Sequence, residues 1–194
     1  MRQVLVLTGT PGVGKTSVAI LLAQRLKGVH INLSELVKSE GLSCGLDEER
    51  DTLIADSEEV SKRVDTVIAR AKGYMIVEGH FAIDVVAKED ASKVFVLRRA
   101  PDELRKALMK RRFKESKVAE NVAAEILDVC LFDAVKTYGE EKVCEVDVSG
   151  KAAEDVTEEV IAVVKGREKC HVGIVDWLTK LEMEGRLDQF LASI

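Results

Sequence analysis

Residues 9–16 read Gly-Thr-Pro-Gly-Val-Gly-Lys-Thr, a complete G-x-x-x-x-G-K-[ST] run. No other feature of the chain limits its fold so tightly. Glycines at this spacing let the backbone curl so that successive N–H groups converge on anionic oxygens. Gly12 and Gly14 supply that freedom, Lys15 reaches the β- and γ-phosphates of a nucleotide, and the Thr16 hydroxyl ligates Mg²⁺. The helix beginning near Gly14, with Ser17 in its first turn, turns its positive end to the same anion. Such a loop needs a strand before it and a helix after it. Val4-Leu5-Val6-Leu7 supplies the first and the helical pattern over 17–27 the second. The bland alternative, a glycine turn with no ligand, leaves the lysine and threonine at these spacings unexplained. The loop predicts a nucleoside triphosphate as ligand.

Five short apolar runs, 3–8, 29–31, 74–78, 93–97 and 142–147, alternate with helical patterns near 15–26, 32–39, 57–71, 101–112, 118–138 and 152–165. Val, Ile and Leu without strict alternation suit parallel strands covered on both faces. The β-α alternation predicts right-handed crossovers and a doubly wound α/β domain. Asp56 or Ser57 can cap the third helix and Gly73 ends it, while Pro101 opens the fourth, with Asp102 and Glu103 complementing its dipole. Over 175–191 the pattern changes. Trp177, Leu178, Leu181, Leu187, Phe190 and Leu191, interrupted at Gly185, predict one or two amphipathic helices that pack on the domain itself or on a partner. At 194 residues the chain suits one domain, 1–165, with a helical extension, 166–194.

A formal net charge of −5 argues against a general nucleic-acid or anionic-membrane binder. No apolar stretch approaches the roughly 20 residues of a membrane span. No charged lead or cleavage site precedes the first strand, so the expected location is the cytoplasm. Cys44, Cys130, Cys144 and Cys170 form no C-x-x-C pair and are expected to be reduced thiols. Cys170 beside His171 lacks the second pair of ligands that a metal site would need.

Among phosphate-loop proteins, a GTPase would show N-K-x-D and D-x-x-G, and neither is present. Small-molecule kinases remain. The third strand ends in Glu78-Gly79-His80, and a carboxylate at that edge faces the ligand crevice. Glu78 there holds the Mg²⁺ shell or orients the attacking group. His80 either orients a water or acceptor hydroxyl, or only hydrogen-bonds a loop. The densest basic run, Arg105 to Lys117, falls where a lid would close on polyphosphate, about 110–118. Guanidinium forks at Arg111 or Arg112 would neutralise charge there, and closure would exclude water. Arg98, leaving the fourth strand, either receives an acceptor phosphate or pairs with a neighbouring acid.

The loop, together with His30-Ile31-Asn32-Leu33-Ser34-Glu35-Leu36, Leu46-Asp47-Glu48-Glu49 and Val94-Phe95-Val96-Leu97-Arg98, resembles the adenylate kinase isoenzyme six family. That family includes the coilin-interacting nuclear ATPase and archaeal adenylate kinase-like proteins, and the resemblance covers about residues 3–165. It implies a nucleoside-monophosphate-kinase fold with central strand order 2-3-1-4-5, a short lid, and phosphorylation of AMP and other monophosphates by ATP with slow hydrolysis. By position it implies that Gly12, Gly14, Lys15, Thr16 and Ser17 contact ATP phosphates, that Arg111 is the lid arginine, and that 32–55, with Asn32 and Lys38, binds the monophosphate. It further implies a role in small-subunit ribosome and rRNA maturation through a platform ribosomal protein of the S-eleven family. Two departures stand out: Glu78-Gly79-His80 where relatives often carry Asp-x-His, and Lys38 where an arginine can stand, a point charge in place of a fork. Two other functional classes share the loop: an assembly ATPase whose client is a protein, and a kinase of a non-nucleotide metabolite.

Overall fold

The computed structural model describes residues 2–47 and 52–191. Glu48 and Glu49, and with them part of the 32–55 segment, lie outside the described residues. In chain order the strands are β1 Gln3–Thr8, β2 Val29–Asn32, β3 Ser43–Asp47, β4 Thr52–Ala55, β5 Tyr74–Glu78, β6 Ala91–Arg98 and β7 Val143–Asp147. The helices are α1 Lys15–Leu26, α2 Leu33–Glu40, α3 Ser57–Arg70, α4 Ala82–Val85, α5 Pro101–Lys110, α6 Glu115–Ile126, α7 Val129–Tyr138, α8 Ala153–Val164, α9 Trp177–Met183 and α10 Asp188–Leu191.

Five strands form one parallel sheet in the order β2-β5-β1-β6-β7. Counting these parallel strands alone, that is the expected 2-3-1-4-5. Both faces are buried, which is why the strand sequences run apolar without alternation. Leu5, Leu7, Ile76, Phe95, Leu97 and Val146 point into one layer with Val18 and Leu22 of α1 and Val156 and Val160 of α8. Val4, Val6, Met75, Val77, Val94 and Val96 point the other way, onto Val60, Val64 and Ile68 of α3 and Leu131 and Ala134 of α7. Because β1 lies between β5 and β6, the connections diverge on either side of it. A crevice opens there at the carboxyl edge, and the loop after β1 sits in its mouth.

Four local features differ from expectation. The segment between α2 and α3 folds back as an antiparallel hairpin, β3–β4. The helix expected over 118–138 breaks in two at Asp128, which adopts a left-handed φ of 56°. Its carboxylate bonds the Arg98 guanidinium, so a tertiary ion pair outweighs continuous helix. The helix expected over 101–112 stops at Lys110, Arg112 takes φ 59°, and α6 starts at Glu115.

The fourth correction concerns the cysteines. Cys144 and Cys170 form a disulfide with Cα atoms 4.8 Å apart, while Cys44 and Cys130 are free thiols. The residues are 26 apart in sequence, so nothing in the local spacing announces the pair; the fold brings the start of the extension against β7. Beyond it, Trp177, Leu181 and Phe190 join the same buried cluster as Leu104, Leu108 and Val122, so the extension packs on this domain. Among the described residues, no helix is long and apolar enough to cross a membrane.

By the loop-entropy relation, a crosslink spanning 26 residues stabilises by about 3.5 kcal/mol. Reduction should therefore lower the urea midpoint of the wild type substantially, while the midpoint of Cys170→Ser should not respond to reductant.

Candidate active site

The phosphate loop owes its shape to two crowded glycines. A Cβ on Gly9 would lie 2.4 Å from the Leu97 carbonyl oxygen, and one on Gly12 2.9 Å from Leu108, with φ values of +132° and +96°. Both positions exclude L side chains, and both press the loop against β6 and α5. Lys15, 8% exposed, folds back so that its Nζ donates to the carbonyls of Gly9 at 2.8 Å and Thr10 at 3.1 Å. Burial lowers its pKa to about 8; the nearby Arg111 adds to the fall, while Cys130, Glu78 and Glu125 oppose it. The lysine thus remains mostly charged at neutral pH.

Glu78 closes β5 at the same edge and is 3% exposed. Its Oε1 accepts from the Thr16 hydroxyl at 2.8 Å and from Asn32 Nδ2 at 2.6 Å. A hydroxyl and a carboxylate are the hard oxygen donors that Mg²⁺ takes, so Thr16 and Glu78 suit that ion. Asn32 also caps α2, its Oδ1 accepting from Glu35 N, and so ties that helix to this carboxylate. His30, next door on β2, holds its Nε2 3.7 Å from Glu78 Oε1, and that nitrogen has no hydrogen-bond partner among the described residues.

His80 lies just beyond, in a turn held by its own carbonyl, which accepts from Thr8 Oγ1 at 3.3 Å, and by Gly79 N donating to Leu7 O at 3.1 Å. Its ring lies at the crevice edge and packs edge-on against Phe81. Lost hydration lowers its pKa to about 4, and the Lys15 and Lys117 charges add to the shift. It is a neutral imidazole at pH 7. Arg111 caps α5 at its C-terminus, exposed and within electrostatic reach of Lys15. Ser17 is exposed in the first turn of α1. Lys38, exposed in the last turn of α2, stands about 9 Å along the helix from the Asn32 cap.

Arg98 requires a correction. It is 1% exposed and makes no approach to the crevice: its guanidinium donates to Glu125 Oε1 at 2.8 Å and Glu145 Oε1 at 2.6 Å, and also bonds Asp128. Of the two roles open to it, pairing with acids is the one observed: four of its five N–H donors are engaged, the fourth bond going to the Glu125 carbonyl. The sequence reading missed the residues that brace the loop. Thr10 Oγ1 donates to Glu125 Oε2 at 2.7 Å, and Arg99 Nη1 donates to the Gly12 carbonyl at 3.3 Å. The available signal was Glu125 itself, an acid set among Val122, Ala123, Ala124 and Ile126 on a helical apolar face.

The sequence model described as an AAA domain matches residues 5–128. A protein of Natronomonas pharaonis named "Putative adenylate kinase" is 40% identical over 176 residues, covering 90% of this chain and 97% of that protein. A protein of Methanocaldococcus jannaschii with the same name is 35% identical, covering 91% and 93%. The chain belongs to this adenylate kinase-like family. It is a P-loop kinase homologue with a nucleotide-binding loop. Shikimate kinase from Acinetobacter baumannii shares the fold at TM-score 0.62 and 13% identity, covering 87% of this chain and 96% of that one. A gluconokinase from Sinorhizobium meliloti does so at 0.57 and 18%, covering 85% and 93%.

Without nucleotide or metal, the buried ammonium of Lys15 costs stability. Its folded pKa of about 8 lies below the ordinary 10.5, so between those values the unfolded chain holds the proton that the folded one has lost. Stability should then rise with pH across that window by roughly 3 kcal/mol. Urea titrations at pH 7.5, 9 and 10.5 should show this rise, and Lys15→Met should abolish it.

Proposed function

We propose that this protein transfers the γ-phosphoryl group of MgATP to a nucleoside monophosphate, AMP foremost, bound between the phosphate loop and the 32–55 segment. One observation carries the reading: the loop lysine, the Thr16–Glu78 pair and the Asn32 cap of the acceptor-side helix converge on one crevice. The family membership supports it, since the relatives named above bear adenylate kinase names.

In this reading the loop amides and Lys15 bind the β- and γ-phosphates, exchanging the carbonyls of Gly9 and Thr10 for phosphate oxygens. Thr16 and Glu78 would hold Mg²⁺, which would offset the charge of the phosphates. Asn32 keeps Glu78 oriented and sets α2 at a fixed angle to it. Arg111 swings in from the α5 cap, neutralises charge on the transferring group and narrows the opening to water. A phosphate monoester has its second pKa near 6, so the attacking oxygen is already ionised at pH 7. Such an acceptor needs cations and alignment rather than a general base, and protein groups here mainly position and neutralise.

A second reading has one observation in its favour. His80, neutral at the crevice edge, can accept a hydrogen bond from an attacking water, which favours ATP hydrolysis and a nucleotide switch acting on a protein client, such as the small-subunit platform protein. ADP production from ATP should be measured with AMP, CMP, GMP, UMP and dAMP, and without acceptor, with and without that client. Turnover that requires a monophosphate supports the kinase. Turnover that responds only to the client supports the switch. Turnover with neither, but with a hydroxylated metabolite, would replace both. Lys15→Ala should lower turnover at least 100-fold, Arg111→Ala should lower kcat by about 100-fold, and chelation of divalent cations should abolish turnover.

A further inference from the structure

We infer that the C-terminal extension is a working part of the nucleotide site, with Trp177 and Glu125 as positioning residues that hold the Thr10 hydroxyl and, through it, the seat of Lys15; this rests on the nucleotide-binding reading of the loop. Glu125 is 1% exposed and its carboxylate is saturated. Oε2 accepts from Thr10 Oγ1 at 2.7 Å, while Oε1 accepts from Arg98 Nε at 2.8 Å, Arg99 N at 3.1 Å and the Trp177 indole N–H at 3.3 Å. Thr10, also 1% exposed, offers its carbonyl to Lys15 Nζ at 3.1 Å. Three hydrogen bonds therefore lead from the extension to the lysine that meets phosphate.

A second attachment runs in parallel. Glu145, on β7, accepts from Arg98 Nη1 at 2.6 Å through Oε1 and from Ile174 N at 2.8 Å through Oε2. Its own N–H donates to the His171 carbonyl at 2.8 Å, beside the disulfide at Cys170. The extension thus contacts both buried carboxylates that fix Arg98, and one of those carboxylates fixes the loop. Packing alone would have required only the apolar side of Trp177. The indole N–H aimed at a carboxylate already shared with the loop is the feature that packing leaves unexplained.

A buried, fully satisfied polar network has few alternative arrangements, so loss of one donor is felt by the remaining partners. Thr10→Val removes the hydroxyl at constant shape, and Trp177→Phe removes the indole donor while keeping an aromatic ring. In the full chain, titrated calorimetrically with MgATP, Thr10→Val should weaken binding about 10-fold and Trp177→Phe about 3-fold. The double variant should bind no worse than Thr10→Val alone, because both act through Glu125. Thr10→Ser, which keeps the hydroxyl, should restore wild-type affinity. Trp177 is the only tryptophan in the chain, so its emission should change on MgATP binding in the wild type and respond less in Thr10→Val.

If Trp177→Phe lowers the urea midpoint but leaves the ATP Kd unchanged, the residue is merely structural and the inference is overturned. Strictly additive losses in the double variant overturn it as well. Should Thr10→Val fail to fold, the Thr10→Ser and Trp177→Phe affinities decide the question. A wild type that binds no ATP would instead fall on the loop assignment and take this inference with it, whereas normal wild-type binding with unaltered variants refutes the inference alone.

Discussion

One buried guanidinium holds together the parts of this molecule that meet phosphate. Arg98 leaves the end of β6 and is bonded to carboxylates on α6, at the start of α7 and on β7. The charges of Arg98, Glu125 and Glu145 each cost several kcal/mol to remove from water, whereas Asp128 stays partly exposed, and the mutual pairing offsets that cost only while the buried partners stay in place. Removing Arg98 would leave Glu125 and Glu145 buried without their shared counter-ion. The helices that wall the crevice are therefore fixed relative to the sheet by an arrangement with little tolerance. The same cluster carries more negative than positive charge, and Glu125 lies close enough to Lys15 to help keep that buried ammonium protonated.

The resting crevice satisfies itself. Lys15 is held by loop carbonyls, and Glu78 is held by Thr16 and Asn32. In the proposed reading, nucleotide binding exchanges hydrogen bonds already made for bonds to phosphate and metal. Such preorganisation suits phosphoryl transfer, in which alignment and charge neutralisation supply most of the acceleration. The turn after α5 is organised differently. Arg111 and the left-handed Arg112 sit on an exposed turn between α5 and α6 rather than within a helix.

Some of this was legible in the residues. The loop spacing, the apolar runs and the helix caps identify a doubly wound parallel sheet, and a carboxylate ending the third parallel strand identifies Glu78 as a crevice group. Asn32 was assigned to the acceptor side, and its bond to Glu78 adds a link that strand order alone does not show. Arg98 illustrates the opposite case. At the end of a strand it can serve either a ligand or a salt bridge, and only the position of Glu125, 27 residues later, and Glu145, 47 residues later, decides between them. The disulfide, the break at Asp128 and the β3–β4 hairpin share that character, since each depends on a partner or a turn that local propensity does not encode.

By itself, then, the order of residues determined the phosphate loop, the strand-helix alternation and the edge of the sheet where chemistry can occur, because those follow from short-range periodicity and from backbone freedom at glycine. The tertiary structure decided which charged side chains face ligand and which face each other, how the extension is tied to the loop, and where the long helical segment divides. Those outcomes depend on the energy of burying charge, which is set by neighbours remote in sequence and becomes defined only when the layers close.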